Sequence, residues 1–461
     1  MQHTIPHKLI FTNLIRFHIL QIQHISSPSL ISMKRLLAKF RKSRDEDLEE
    51  LCTTNALVVP AVAEAEASSG SGRRGSQPGR APNEERFRES RGKNMMKYYF
   101  VERPVFSEEV FRTRYRMSHN VFNRISSDLC RYDPYFVQKS DAAGKVGLLP
   151  QQKLTCSLRM LAYGAGADQC AEYCRMATTT SIAALKRFTR GIVFLYSAEY
   201  LRAPNPADLR RLLAKAERRG FPGMIGSIDC MHWQWKNCPT GWAGEYSGRK
   251  RVPTIILEAV ASYDTWIWHA FFGMPGSCND LNVLAKSPLF DELTAGRAPQ
   301  IQFQVNNRIH NLGYYLADGI YPQWATFVKS IPRPTRPKDL KFSQAQEGYR
   351  KDVERCFGIL QTRFSIVRGA ARGWDTEDLR YIMLTCIILH NMIIEDERPD
   401  DSDEDLESDE EEDNNMRPRF GKGRLVMTSI LLVEMVITST DSWIDTMPLE
   451  VQTVTQTFKK I

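Results

Sequence analysis

No two of the ten cysteines (52, 130, 156, 170, 174, 230, 238, 278, 356 and 386) have CxxC spacing, and none stands beside a cluster of histidines. That excludes the common structural zinc modules. Cys170 and Cys174, one helical turn apart, come nearest to a metal pair. A disulfide-built secreted scaffold does not fit 461 residues, so the thiols read as a reduced, intracellular set. Long apolar runs are missing too. The longest near the C-terminus, LVMTSILLVEMVI, is too short to span a bilayer and carries Glu434. A nucleophile elbow and a glycine-rich phosphate loop are both absent, which removes the α/β-hydrolase reading. Acids are absent from residues 1–44.

Charge of the missing sign returns elsewhere. Residues 395–413, EDERPDDSDEDLESDEEED, carry a net −13, so the rest of this +8 chain carries +21. A body that basic attracts polyanions, nucleic acid first among them. The acidic run reads as a solvated or interaction tail. The acid-free N-terminus fits either an organelle transit peptide or, starting from Met33, a nuclear-type basic cluster KRLLAKFRKSR; the second is preferred, which predicts a nuclear protein. Residues 60–95, rich in Ala, Ser, Gly, Arg and Glu, read as disordered within a basic region spanning 1–95. The tail 398–461 reads likewise.

Between these ends the pattern is mixed α/β. Residues 96–215 show helical spacing, with helices predicted at about 151–163, 167–176 and from Thr178–Thr180, as N-caps, to about 197. A short helix, a turn and a longer helix bearing Lys186, Arg187 and Arg190 fit a helix-turn-helix as well as a plain bundle. From residue 222 to 397 strands take over. GMIGSIDCMHW reads as a strand ending at Asp229, TIILEAVASYD and TWIWHAFFG as a hairpin turning at Tyr263–Asp264, and YYLADGIYP as a buried strand ending at Asp318. Asp280 opens a short helix, and SQAQEGYRKDVERCFGILQTRF is a helix carrying Glu347, Arg350 and Glu354 on one face. The stretch 376–395 reads as a core helix.

Why a hydrophobic strand should deliver one carboxylate to its end is the central question, because an acid there is costly without a cation. Strands ending in Asp229 and Asp318, with Glu354 following after 35 intervening residues, suit acids gathered around divalent cations for phosphodiester cleavage. Each acid taken singly is more simply a turn former, a helix cap or a surface ion-pair partner. His232 reads as a satisfied half-buried histidine, and Trp233, Trp235, Trp266 and Trp268 as core. Arg350 and Lys351 are divided between phosphate contact and a solvated face; Arg355 would pair with Glu354 or DNA.

The segments GSIDCMHWQWKNCP, PTIILEAVASYDTWIWHAFFGMPGSCNDLNVL, YYLADGIYPQWATFVKSI, KDVERCFGILQTRFSIVRG and MLTCIILHNMIIEDER, in that order across about residues 100–397, resemble the plant PIF/Harbinger transposase-derived nucleases of the DDE superfamily. The resemblance implies an RNase H-like core behind a helix-turn-helix region, and Mg²⁺- or Mn²⁺-dependent cleavage of DNA. Its metal-binding acids match Asp229, Asp280, Asp318 and Glu354, with Asp229, Asp318 and Glu354 as the catalytic triad and Asp280 supporting. It further implies that a Myb-like protein supplies targeting; a homo-oligomer is compatible with the chain, a membrane is not. The stretch GEYSGRKRVPT, 244–254, is shorter and more basic than the family's usual loop. The competing expectation is a domesticated, non-catalytic chromatin or transcription-complex protein. Keeping four acids weighs against it, because clustered carboxylates cost stability.

Overall fold

The structure, a computed structural model, describes residues 85–249, 251–291, 301–305 and 308–398. The N-terminal basic cluster, the acidic run beyond Arg398 and the apolar stretch around Glu434 lie outside the described residues.

The chain opens with helices: α1 (Arg88–Met95), a π-turn (Met96–Phe100), α2 (Glu108–Tyr115), α3 (His119–Tyr132), α4 (Pro150–Tyr163), α5 (Ala167–Cys174), α6 (Thr178–Tyr200) and α7 (Pro206–Arg218). Their starts obey capping chemistry. Ser107 and Ser118 accept hydrogen bonds from Val110 and Val121, and Asn205 caps α7 ahead of Pro206. Order begins earlier than expected, at Arg88. Gly92 lets α1 press against Leu149 and Gln152, and Arg91 donates to the Tyr173 carbonyl while lying over that ring. A disordered reading of 88–95 misses these contacts because they are made by residues far along the chain. The predicted threonine caps of α6 are also corrected. Ala177 holds the N-cap position, and Thr178 Oγ1 donates instead to Asp168 at 2.7 Å.

The sheet strands are β1 (Met224–Gln234), β2 (Thr254–Ala261), β3 (Ile267–Pro275), β6 (Tyr314–Leu316) and β7 (Phe327–Val328), in the order β3-β2-β1-β6-β7. The first three form an antiparallel meander, and β6 joins β1 in parallel, an RNase H-like arrangement. A separate ribbon pairs β4 (Phe303–Val305) with β5 (Arg308–His310). The remaining helices are α8 (Ala243–Tyr246), α9 (Asp280–Lys286), α10 (Pro337–Arg363), α11 (Ser365–Arg368) and α12 (Thr376–Glu397). The hairpin at Tyr263–Asp264 forms as expected, with Asp264 held by Ser262, Arg211 and Arg398. β1 differs from its prediction. It does not end at Asp229 but runs on through Trp233, because Met231, Trp233 and Trp235 alternate into the core.

One face of the sheet packs on α10 and α12 through Met231, Trp233, Leu257, Phe272, Val353 and Phe357. The other packs Ile228 and Val260 against Leu284, Phe290 and Tyr321. Every residue of α12 from Ile382 to Ile393 is buried, so this helix is apolar all round and sits between α6 and β3. Its polar members are satisfied individually. Asn391 bonds the Tyr200 carbonyl at 2.8 Å and both the amide and carbonyl of Ile267 at 3.0 and 2.8 Å. His390 Nε2 donates to the Thr265 carbonyl at 2.9 Å, and its Nδ1 accepts from Arg363 at 3.2 Å. No described helix is long and apolar enough to cross a membrane.

Burial, aided by the Arg363 charge, pushes His390 down to about 3 from 6.5. A neutral buried histidine contributes stability that is present above pH 6.5 and is lost as pH falls toward 3. By pH 4.5 that loss amounts to about 2–3 kcal/mol. Urea unfolding of His390→Gln at pH 7.5 and 4.5 is expected to show a smaller drop between the two than the wild type. An equal drop would remove His390 from the acid response.

Candidate active site

Four strand and helix positions converge on the sheet's β1–β6 seam. The parallel ladder ends with Ser227 paired to Leu316, so Asp229 lies further along β1, whereas Asp318 stands two residues past the end of β6, in the turn closed by the Tyr321 amide on its carbonyl, and not at the strand end the sequence suggested. Adjacent strands lie about 4.8 Å apart. Asp229 is mid-strand rather than at a strand end, with 21% of its side chain exposed, whereas Asp318 is exposed and its carboxylate accepts the Gly319 amide. Asp280 is the first residue of α9, behind the Asn279 cap. Glu354 lies on α10, 44% exposed.

Arg350 is the cation at Asp229 and Glu354, whereas the charge of Asp318 acts on Lys329. One turn before Glu354 on α10, the Arg350 guanidinium reaches Asp229 Oδ2 at 3.3 Å and Glu354 Oε1 at 2.9 Å. Arg350 therefore bridges the first and last of the expected triad and is not a freely solvated residue. Arg355 donates to Asp352 and to the Tyr263 carbonyl. His232 is exposed rather than half-buried, its Nδ1 3.0 Å from Thr254 Oγ1, because at this end of β1 Met231 and Trp233 on either side take the core positions. Trp233, Trp235, Trp266 and Trp268 are core, as read from their alternation.

The acids feel one another. Burial, followed by the charges of Asp280 and Glu354, pushes Asp229 up to about 6, against the opposing Cys230 amide and Arg350. Asp280 is raised by burial and by Asp318 and Glu258, with Cys230 and His232 opposing. Glu258 was not foreseen. It is fully buried on β2 opposite Cys230, its Oε1 3.2 Å from His269 Nε2, which lies 3.0 Å from Ser287 Oγ. Its Oε2 has no partner among the described residues. The one available signal was a lone charge in the otherwise apolar IILEAVA.

Among the described residues no three His, Cys, Asp or Glu side chains stand close enough to form a ready metal cluster. The chemistry of the donor set nevertheless fits Mg²⁺ or Mn²⁺: carboxylate oxygens only, several of them, with mutual repulsion visible in Asp229 and Asp280.

Residues 198–401 match the family model of a plant transposon protein. That segment contains all four acids. Residues 93–130 match a domain of unknown function, DUF8418. The chain is similar to "Putative nuclease HARBI1" of Bos taurus, 26% identical over 178 residues, covering 38% of this chain and 47% of that protein. "Protein ALP1-like" of Arabidopsis thaliana is 26% identical over 236 residues, 50% of this chain and 57% of the relative. The Mus musculus HARBI1 protein is 23% identical over 205 residues, 41% and 55% respectively. The chain spans about half the length of the curated relatives it matches. No solved structure matches it. These likenesses support a transposase-derived, nuclease-like protein.

The Arg350 bridge makes a pH-resolved prediction. With Asp229 raised to about 6, the stability tied to its protonated form is present below pH 3.8 and lost as pH rises through 6. Arg350 limits that loss. Arg350→Ala is expected to lower unfolding free energy by about 1–3 kcal/mol at pH 8 and by clearly less at pH 5. An equal loss at both values in denaturant melts would mean that the side chain acts by packing alone.

Proposed function

We propose that this chain is a divalent-metal-dependent DNA endonuclease of transposase descent. The observation that carries the reading is the gathering of Asp229, Asp280, Asp318 and Glu354 within reach of one another's charge around β1, with Arg350 tying Asp229 to Glu354. Asp229, Asp318 and Glu354 are the catalytic acids in this reading, and Asp280 supports them. Together they would hold Mg²⁺ or Mn²⁺, which supplies charge neutralisation at a phosphodiester during cleavage. The chain's own contribution is positional. Two strands and a packed helix fix the carboxylates, Asp229 gives up its proton on the neutral side of pH 6, and the Arg350 fork presents donors suited to phosphate oxygens. In the cell, the reading places the protein in the nucleus with a Myb-like partner supplying DNA targeting.

One observation favours a second reading. Arg350 already neutralises Asp229 and Glu354, and the described residues hold no ready metal cluster, as suits a domesticated, non-catalytic DNA-associated protein.

Nicking of supercoiled plasmid by the purified chain with Mn²⁺ separates the two. Asp229→Asn, Asp318→Asn and Glu354→Gln are each expected to lower the rate by several orders of magnitude, as does a chelator, with a smaller loss for Asp280→Asn. Activity should rise with pH through about 6 as Asp229 ionises. DNA binding without nicking in any lane would replace the enzyme by the second reading.

A further inference from the structure

The cations expected to face DNA from the helix-turn-helix are engaged within the chain. Lys186 and Arg190 of α6 pair with Asp378 at 2.6 and 3.0 Å, and Arg187 pairs with Asp133 at 2.8 Å. They fasten α6 to α12 and α3. Other cations have no acidic partner among the described residues. Lys236, Arg249, Arg368 and Arg372 are exposed, and they gather around the far end of β1.

That end is a built platform. Past Gln234 the chain bridges to Ala371: the Lys236 amide donates to the Ala371 carbonyl at 2.9 Å, and Asn237 Nδ2 to the Arg372 carbonyl at 2.7 Å. Buried Trp235 anchors it, its indole donating to the Gly373 carbonyl at 2.8 Å. Arg368 ends α11 beside Gly369, whose carbonyl takes the Trp233 indole at 2.8 Å. The Ser247–Pro253 bridge carries Arg249 to the same edge, since the Trp235 amide donates to Pro253. On this base stand two exposed indoles. Trp374, next to Gly373, is 70% exposed. Trp242, 47% exposed, lies 6.1 Å from the Trp235 ring and stacks on Tyr246. The local acids are few. Glu245 lies on α8, and Asp375 is committed to capping α12.

Large exposed indoles are unusual on a soluble surface unless something covers them. Ringed by unpaired cations, they fit the planar bases and phosphates of a single nucleic-acid strand, on which stacking and charge act together. Duplex DNA keeps its base faces inside the helix and cannot use the indoles in that way. Six residues lie between Asp229 and Lys236, a span of about 23 Å at strand rise. His232, Gln234 and Lys236 form an exposed polar row on the face of this stretch opposite Met231, Trp233 and Trp235.

We propose that the Trp242–Trp374 platform binds an unpaired stretch of DNA, with bases stacked on the two indoles and phosphates on Lys236, Arg368 and Arg372. It would hold a strand that enters or leaves the site around Asp229. This rests on the nuclease reading for its substrate but not for its contacts.

The test is fluorescence anisotropy of the full chain on an oligonucleotide of about 20 residues, single-stranded and as a duplex, at one fixed salt concentration. Trp374→Ala and Trp242→Ala are each expected to weaken single-strand binding roughly 5- to 100-fold while moving duplex binding less than about twofold. Trp374→Phe should recover most of the loss. Arg372→Glu should weaken both forms, and Lys186→Ala neither. Thermal melts check that the tryptophan variants fold, as their exposure predicts. If the wild type binds and nicks DNA while both tryptophan variants bind single strands normally, the platform is overturned and the nuclease reading stands. Equal losses on strand and duplex also overturn it. If the wild type binds neither form, both readings fall together.

Discussion

Asn391 lies in the fully buried part of α12, where an amide cannot be left unpaired without a cost of about 1–3 kcal/mol. Its hydrogen bonds reach the end of α6 at Tyr200 and both backbone groups of Ile267 on β3. That arrangement fixes the rotation of a helix whose apolar surface would otherwise tolerate several, since aliphatic packing is not directional. It also fixes β3, and the antiparallel ladders then carry the register through β2 to β1. The helical region and one sheet face share an apolar cluster for the same reason, because α12 serves both.

With that frame set, the site is governed by like charge. Asp229, Asp280, Asp318, Glu258 and Glu354 bring more negative charge to one seam than a half-buried location tolerates unaided. The strain shows in Asp229 and Asp280, which burial and neighbouring acids push up. Arg350 relieves part of it and explains how the acids can sit together on the folded chain. A guanidinium and a divalent cation answer the same electrostatic demand.

The distribution of positive charge carries equal weight. A basic chain suggests nucleic acid, but a cation already paired inside the fold contributes little to binding it. On α6 the basic residues secure helices to one another. Lys236, Arg249, Arg368 and Arg372, which have no acidic partner among the described residues, lie around Trp242 and Trp374 beyond the end of β1, and the proposed single-strand platform is drawn from them.

The sequence alone determined whatever depends on local pattern. Alternation placed Trp233, Trp235, Trp266 and Trp268 in the core, the Tyr263–Asp264 hairpin followed from two β-rich runs, and helical spacing located α4, α5, α6 and α12 closely. The four acids were named from strand context and from resemblance, and the structure adds that Asp229 feels Asp280 and Glu354 while Asp280 feels Asp318. Other features depended on residues remote in the chain. Arg350 could not be assigned to Asp229 without knowing that α10 crosses β1. Glu258 could not be recognised as part of the acidic seam without the pairing of β2 with β1. Disorder was read too far toward α1 because the partners of Gly92 and Arg91 lie some sixty to eighty residues later. Composition and periodicity report what each residue prefers, whereas charge pairing and register depend on which residue stands opposite, and only the tertiary structure decides that.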